Sequence, residues 1–295
     1  MGEALYRGWD RERIDAELNL RARWPEHADF FARWAAESRG VREQLGHRGL
    51  VDLAYGSSTG ERLDLFRPED ADRAPILAFI HGGYWQSLDK GDFSHLAPPF
   101  LEAGIAFASL NYDLAPKARI GDMVAQIRRA LAWLYGHAGD YGLDRDRLYV
   151  AGHSAGGHLA LMAMDGSWPA EEGLPPDVVK GGCSISGVYD LEPLRHSYQQ
   201  PVLRIAPEDV EPLSPLRRVP AAAGPLVCAV GDEETEEFRR QQDELLAAWR
   251  KRGLDALAVA LPGRHHFSAV DALGESDHPL HAAVRALVRE GSTAA

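Results

Sequence analysis

A chain of 295 residues has room for one large α/β domain or two smaller ones, and its 45% hydrophobic and 26% charged residues suit a soluble globular protein with a sizeable core. The formal charge of −12 argues against nucleic acid as a partner, because phosphate binding calls for clustered Lys and Arg. Two isolated cysteines, Cys183 and Cys228, lie inside apolar runs and read as buried thiols, not as a disulfide or a metal pair.

In chain order, "MGEALYRGWDRERIDAEL" has no apolar signal core, and no run of about 18 apolar residues follows it, so a cytoplasmic protein without a membrane partner is expected. Residues 10–20 and 27–45 carry apolar side chains at helical spacing (Ile14 and Leu18, then Phe30, Trp34, Val41 and Leu45) on either side of "WPEH". "LVDLAYG" and "RLDLFRP" alternate like a half-buried hairpin. Strands are then expected at 75–80, 105–112, 148–152, 182–186, 225–230 and 254–261, near-continuous apolar runs of the kind covered on both faces. Between them lie amphipathic stripes, Met123–Leu134 and Phe238–Trp249. This alternation predicts an open, mostly parallel sheet with helices on both faces. Residues 187–224, rich in Pro and charge, break the rhythm and read as a partly helical excursion over one end of the sheet. A helix from about Pro279 to Arg289 closes the chain.

"GHSAG" (152–156) fits G-x-S-x-G between a strand and a helix, with no room for side chains two residues either way of Ser154. Such a turn sets the serine at a helix N-terminus, where the N–H of Ala155 can meet a developing oxyanion. A serine hydroxyl needs a base, and "LPGRHHFSAV" after the last strand offers His265 and His266, between which spacing does not choose. The imidazole needs an acid, and "GDEETEEF" offers Asp232, Glu233, Glu234, Glu236 and Glu237 in the chain order serine, acid, histidine. "FIHGGYWQ" (79–86) stands where a second oxyanion donor is expected. Gly82 and Gly83 let backbone N–H groups turn inward, and His81 reads as loop packing. Tyr84 and Trp85 are expected to wall the substrate pocket, with His153 beside them.

"HGGYW", "GHSAGGH", "GDEETEEFRRQ" and "HHF", with "LYRGWDRERIDAELNLRARWPEH" and "SGVYDLEPL", resemble α/β-hydrolases of the kynurenine formamidase (arylformamidase) group, relatives of the hormone-sensitive-lipase-like esterases. The resemblance runs from about residue 5 to about residue 275. It implies a single α/β-hydrolase domain over 1–295, in which residues 1–48 contribute to a small helical cap and 187–224 pass over the site. The family's acid position falls on Glu234, where many members carry Asp, with Asp232 as fallback. Its histidine immediately precedes Phe, which selects His266.

By the same resemblance Ser154 attacks a carbonyl, His266 takes its proton and Glu234 orients the ring. Gly83, Tyr84 and Ala155 hold the oxyanion, and Gly82 shapes the turn. The implied reaction is hydrolysis of an aryl formamide such as N-formylkynurenine through an acyl-enzyme, a step of tryptophan catabolism, with no cofactor and no metal. A carboxylesterase or thioesterase acting on short-chain or aryl esters is the alternative. A non-catalytic ligand-binding protein on the same scaffold is the third reading, opposed by the presence of serine, histidine and acid candidates together. The expected partner is a small-molecule substrate, with a homodimer left open.

Overall fold

The computed structural model describes residues 3–291, so residues 1–2 and 292–295 of the expected domain lie outside the described part. Eight strands form one sheet: β1 (Gly49–Ala54), β2 (Arg62–Phe66), β3 (Ala74–Ile80), β4 (Ala106–Leu110), β5 (Leu143–His153), β6 (Val179–Ile185), β7 (Leu226–Gly231) and β8 (Ala256–Leu261). Their order is β1-β2-β4-β3-β5-β6-β7-β8. β2 runs antiparallel to β1 and β4, and every later pairing is parallel. In β3 and β4 every residue is buried, which requires helices across both faces and explains their unbroken apolar runs.

β6 begins earlier than expected, at Val179, and β4 is shorter, Ala106–Leu110; two further strands differ from the sequence reading in a way that packing explains. β5 starts at Leu143, ahead of the apolar run, because Ala74 pairs with Leu143 across a register shift and Arg73 holds Asp144 at 2.9 Å. The polar "DRDR" therefore enters the sheet at its rim, where Arg145 and Asp146 stay exposed and the buried Asp144 is met by Arg73. β8 is an edge strand, and its residues Ala256–Ala260 remain partly or largely exposed although they are apolar. Apolar character signals a strand but does not say whether a neighbour covers it.

The N-terminal segment forms helices Arg11–Leu18, Leu20–Arg23 and His27–Leu45, the first two capped by the side chains of Asp10 and Asn19. It is tied to the domain by polar contacts. The Tyr6 hydroxyl lies 3.3 Å from both Asp190 and Glu237 and accepts from Arg240 at 2.8 Å. Further along, the Trp34 indole donates to Asp271 at 2.8 Å.

The 187–224 excursion contains only short helices (Glu192–Arg195, Gln200–Leu203, Pro207–Leu213). Gln241 accepts from the backbone N–H groups of Tyr189 and Asp190, and His158 donates to the Leu213 carbonyl at 2.7 Å. Side chains of the flanking helices therefore order a stretch that has no periodicity of its own.

Beneath the sheet's centre the Ala155–Ala163 helix approaches β3 so closely that a Cβ on Gly156 would lie 1.9 Å from the Ile80 carbonyl oxygen. Neither partner is a flexible side chain, so nothing yields cheaply. Gly156→Ala is expected to lower stability by about 3 kcal/mol or more. Thermal denaturation checks this, and an unchanged melting temperature would show that the helix is not locked against the strand.

Candidate active site

β5 ends at His153 and the helix begins at Ala155, so Ser154 alone makes the corner, at φ 57° and ψ −120°. A non-glycine residue in that region is strained and persists only where its surroundings over-determine it. Here they do. A Cβ on Gly152 would meet the Gly156 carbonyl oxygen at 2.2 Å, the Ser154 N–H donates to Ile185 of β6 at 2.9 Å, and His158 N–H donates back to the Ser154 carbonyl at 3.1 Å. The turn presents Oγ outward, and the Ala155 N–H, in the first helical turn, has no intrahelical acceptor.

His266 opens the short His266–Ala269 helix after β8, and Glu234 follows β7. Nε2 of His266 lies 3.0 Å from Ser154 Oγ, and Nδ1 lies 2.8 Å from Glu234 Oε2. The carboxylate can only accept, so Nδ1 carries the proton and Nε2 presents its lone pair to the serine hydroxyl. All three side chains are buried, each residue only 2% exposed. The other Glu234 oxygen accepts from the Ser186 hydroxyl and from the Gly231 N–H at 3.1 Å. Asp232 does not enter this chain; it is exposed and accepts from the Gly263 N–H at 2.7 Å. Nor does His265, whose ring stacks on Trp24 with centroids 5.2 Å apart.

The "HGGYW" loop follows β3 with three successive residues at positive φ: Gly83 at 105°, Tyr84 at 51° and Trp85 at 56°. The His81 ring, stacked 4.5 Å from Tyr112 and bonded to Gly82 O and Asn111, packs the loop. Tyr84 faces the cavity beside Ser154 and donates to the Leu18 carbonyl at 2.7 Å. Trp85 does not line that cavity, contrary to expectation. It is fully buried, edge-on to His158 at 5.1 Å, because neighbouring side chains on so tight a turn diverge.

His153 lines the cavity and donates from Nε2 to the His266 carbonyl at 2.8 Å, which leaves Nδ1 an acceptor without a hydrogen-bond partner among the described residues. Burial, then the nearby His266, hold its ring well below the usual imidazole range, so it stays neutral.

The cavity measures about 20 Å³, room for about one water. Leu20, Arg21, Phe31 and Trp34 from the N-terminal helices and Phe267 from the histidine loop close it; no residue of 187–224 lines it. Two residues here escaped the sequence reading. Ser186 stands at the carboxyl end of β6, where open α/β sheets place functional groups, and that position was the available signal. Arg21 gave none, since its helix has only four residues. Among the described residues no cluster of three His, Cys, Asp or Glu side chains could hold a metal, and no helix is long and apolar enough to cross a membrane.

Comparison with known proteins places the chain among hydrolases. Residues 63–169 match the BD-FAE family. A kynurenine formamidase of Danio rerio is 32% identical over 240 residues, 78% of this chain and 79% of that protein. The esterase LipQ of Mycobacterium tuberculosis is 30% identical over 239 residues, 73% of this chain and 56% of its own length. A crystal structure from Silicibacter sp. TM1040, carrying a provisional thioesterase assignment, superposes with a TM-score of 0.78 at 30% identity over 91% of this chain and 97% of that one.

A serine so placed should react with a fluorophosphonate. Mass spectrometry is expected to find the adduct on Ser154, to find none in Ser154→Ala, and to show labelling slowed by roughly 10³-fold in His266→Ala. His265→Ala should be mild. Equal slowing by the two histidine variants would mean that His266 is not the base.

Proposed function

The chain belongs to the kynurenine formamidase family of α/β-hydrolases, and from that premise we propose that this hydrolase of ester or formamide bonds removes the formyl group of an aryl formamide, such as N-formylkynurenine, through an acyl-enzyme on Ser154. The cavity carries this reading: about 20 Å³ beside the nucleophile suits the smallest acyl group, which brings no side chain of its own.

Ser154 Oγ attacks the formyl carbon while its proton passes to His266 Nε2 across the 3.0 Å contact. The imidazolium so formed is stabilised through Nδ1–H by the Glu234 carboxylate at 2.8 Å. The tetrahedral oxyanion accepts from the N–H groups of Ala155, Gly83 and Tyr84, fixed dipoles that need no reorganisation as charge develops. Gly82 keeps the loop close, since a Cβ there would meet the His153 carbonyl oxygen at 2.8 Å. His266 then gives its proton to the departing arylamine nitrogen as the C–N bond breaks. Water attacks the formyl ester with His266 again as base, and formate leaves. With N-formylkynurenine as substrate the reaction belongs to tryptophan catabolism.

Hydrolysis of short-chain esters or thioesters by the same groups is the second reading, favoured by the 30% identity to LipQ and to the Silicibacter structure. Longer acyl chains require Phe31, Leu88 or Tyr84 to give way.

Kinetics with N-formylkynurenine, p-nitrophenyl acetate and p-nitrophenyl butyrate separate the two. A higher kcat/KM for the formamide than for the butyrate is expected, whereas butyrate hydrolysis without deformylation would reject the formamidase reading. On the preferred substrate Glu234→Gln should lower kcat by about 10³–10⁴-fold, with Asp232→Asn far milder. The opposite ranking would move the acid to Asp232.

A further inference from the structure

Arg21 lines the cavity at Ser154, and none of the residues lining it with Arg21 is Asp, Glu or Lys. On the N-terminal segment Arg11 spends its charge on Asp15, Arg13 on Glu17 and Glu236, and Arg33 on Asp271, while Arg23 lies over the Trp24 ring and Arg42 donates to Gly91 and Ser94, away from the cavity. Arg21 makes no such pair among the described residues. Its guanidinium donates instead to the neutral hydroxyl of Ser87 at 2.5 Å and lies 5.4 Å over the Phe31 ring. In a chain with 44 acidic residues, an arginine at a pocket without an acidic partner points to an anion that arrives from outside.

Its place in the pocket says which part of the substrate that anion belongs to. Ser154 and His266 are buried, whereas Arg21 is exposed, so the guanidinium stands at the mouth. The acyl group goes to the closed end, and the leaving group projects past Arg21. Two neutral groups stand near it, the Ser87 hydroxyl and the Tyr198 phenol, which burial pushes up to about 12 against the opposing Arg21 charge and which therefore keeps its proton, while Asp15 beyond Tyr198 is already paired with Arg11. A single planar guanidinium with most of its donors uncommitted fits one carboxylate bidentately, while a dianion would call for further cations that the cavity lacks.

We propose that Arg21 is the specificity residue of the leaving-group side, exchanging the Ser87 hydroxyl for a carboxylate, so that the preferred substrates are aryl formamides or aryl esters whose leaving group carries a carboxylate. This rests on Ser154 being the nucleophile of that cavity, but not on the acyl group being formyl.

Two matched pairs test it, each with one acyl group and a leaving group with or without the carboxylate: 4-acetoxybenzoate against phenyl acetate, and N-formylanthranilate against formanilide. Wild-type protein should prefer the carboxylated member of each pair. Arg21→Met should shrink that preference in kcat/KM by about 10–100-fold, acting through KM, with Arg21→Lys intermediate. Protection of Ser154 from fluorophosphonate by benzoate over benzamide, diminished in Arg21→Met, gives a readout independent of turnover. An equal loss on charged and neutral members, or a preference and protection untouched by the substitution, overturns the proposal. If the acetate pair discriminates while neither formamide is cleaved, the formamidase reading fails and Arg21 keeps its role. If both formamides are cleaved without discrimination, the reverse holds.

Discussion

The close approach of the Ala155–Ala163 helix to the centre of the sheet governs the rest of the site. With the helix backbone at Gly156 filling the space a side chain at Gly152 would need, and the end of β3 filling that at Gly156, the chain passes from strand to helix in one residue. That residue, Ser154, is held at positive φ at a cost of about 1–3 kcal/mol, set against the packing of a helix buried along its whole length. The strain has a geometric product: an Oγ standing clear of both elements, beside the first N–H groups of the helix. A more relaxed corner would turn the hydroxyl toward the backbone.

Everything else converges on that point from the carboxyl ends of parallel strands. β7 delivers Glu234 and β8 delivers His266, far apart in the chain but adjacent in the sheet. Burying a carboxylate is costly unless its lone pairs are met. Glu234 meets that condition with three donors, Ser186, Gly231 and His266. Ser186, itself at positive φ, comes from β6, so three adjacent strands fix the acid. Glu234 thus sits in a fully bonded position.

The N-terminal segment makes the site a cavity instead of an open rim. Tyr84 reaches up to the Leu18 carbonyl and Arg21 reaches down to Ser87, so loop and segment hold each other across the opening. Trp34 to Asp271 and the Tyr6 cluster secure the segment at its two ends. The aromatics of this segment divide their labour. Trp24 and Phe30 pack on His265, while Phe31 and Trp34 face the cavity.

The strand run from "PILAFI" to "LDALAVAL", the G-x-S-x-G corner and the histidine pair after the last strand were all readable in one dimension. Each is a local pattern: apolar periodicity, a glycine spacing imposed by sterics, a loop after a strand. The choice of His266 over His265 came from the family likeness. The choice of Glu234 over Asp232 needed that likeness as well, since both acids lie within three residues of one strand end. Other features depended on contacts between distant segments. Trp85 turned into the core beside His158, β8 lost its cover by lying at the edge, and Ser186 and Arg21 acquired partners 48 and 66 positions away. Periodicity reports how much of a side chain seeks cover. Only the packing of the whole chain decides which neighbour provides it, and so which polar groups meet at the cavity.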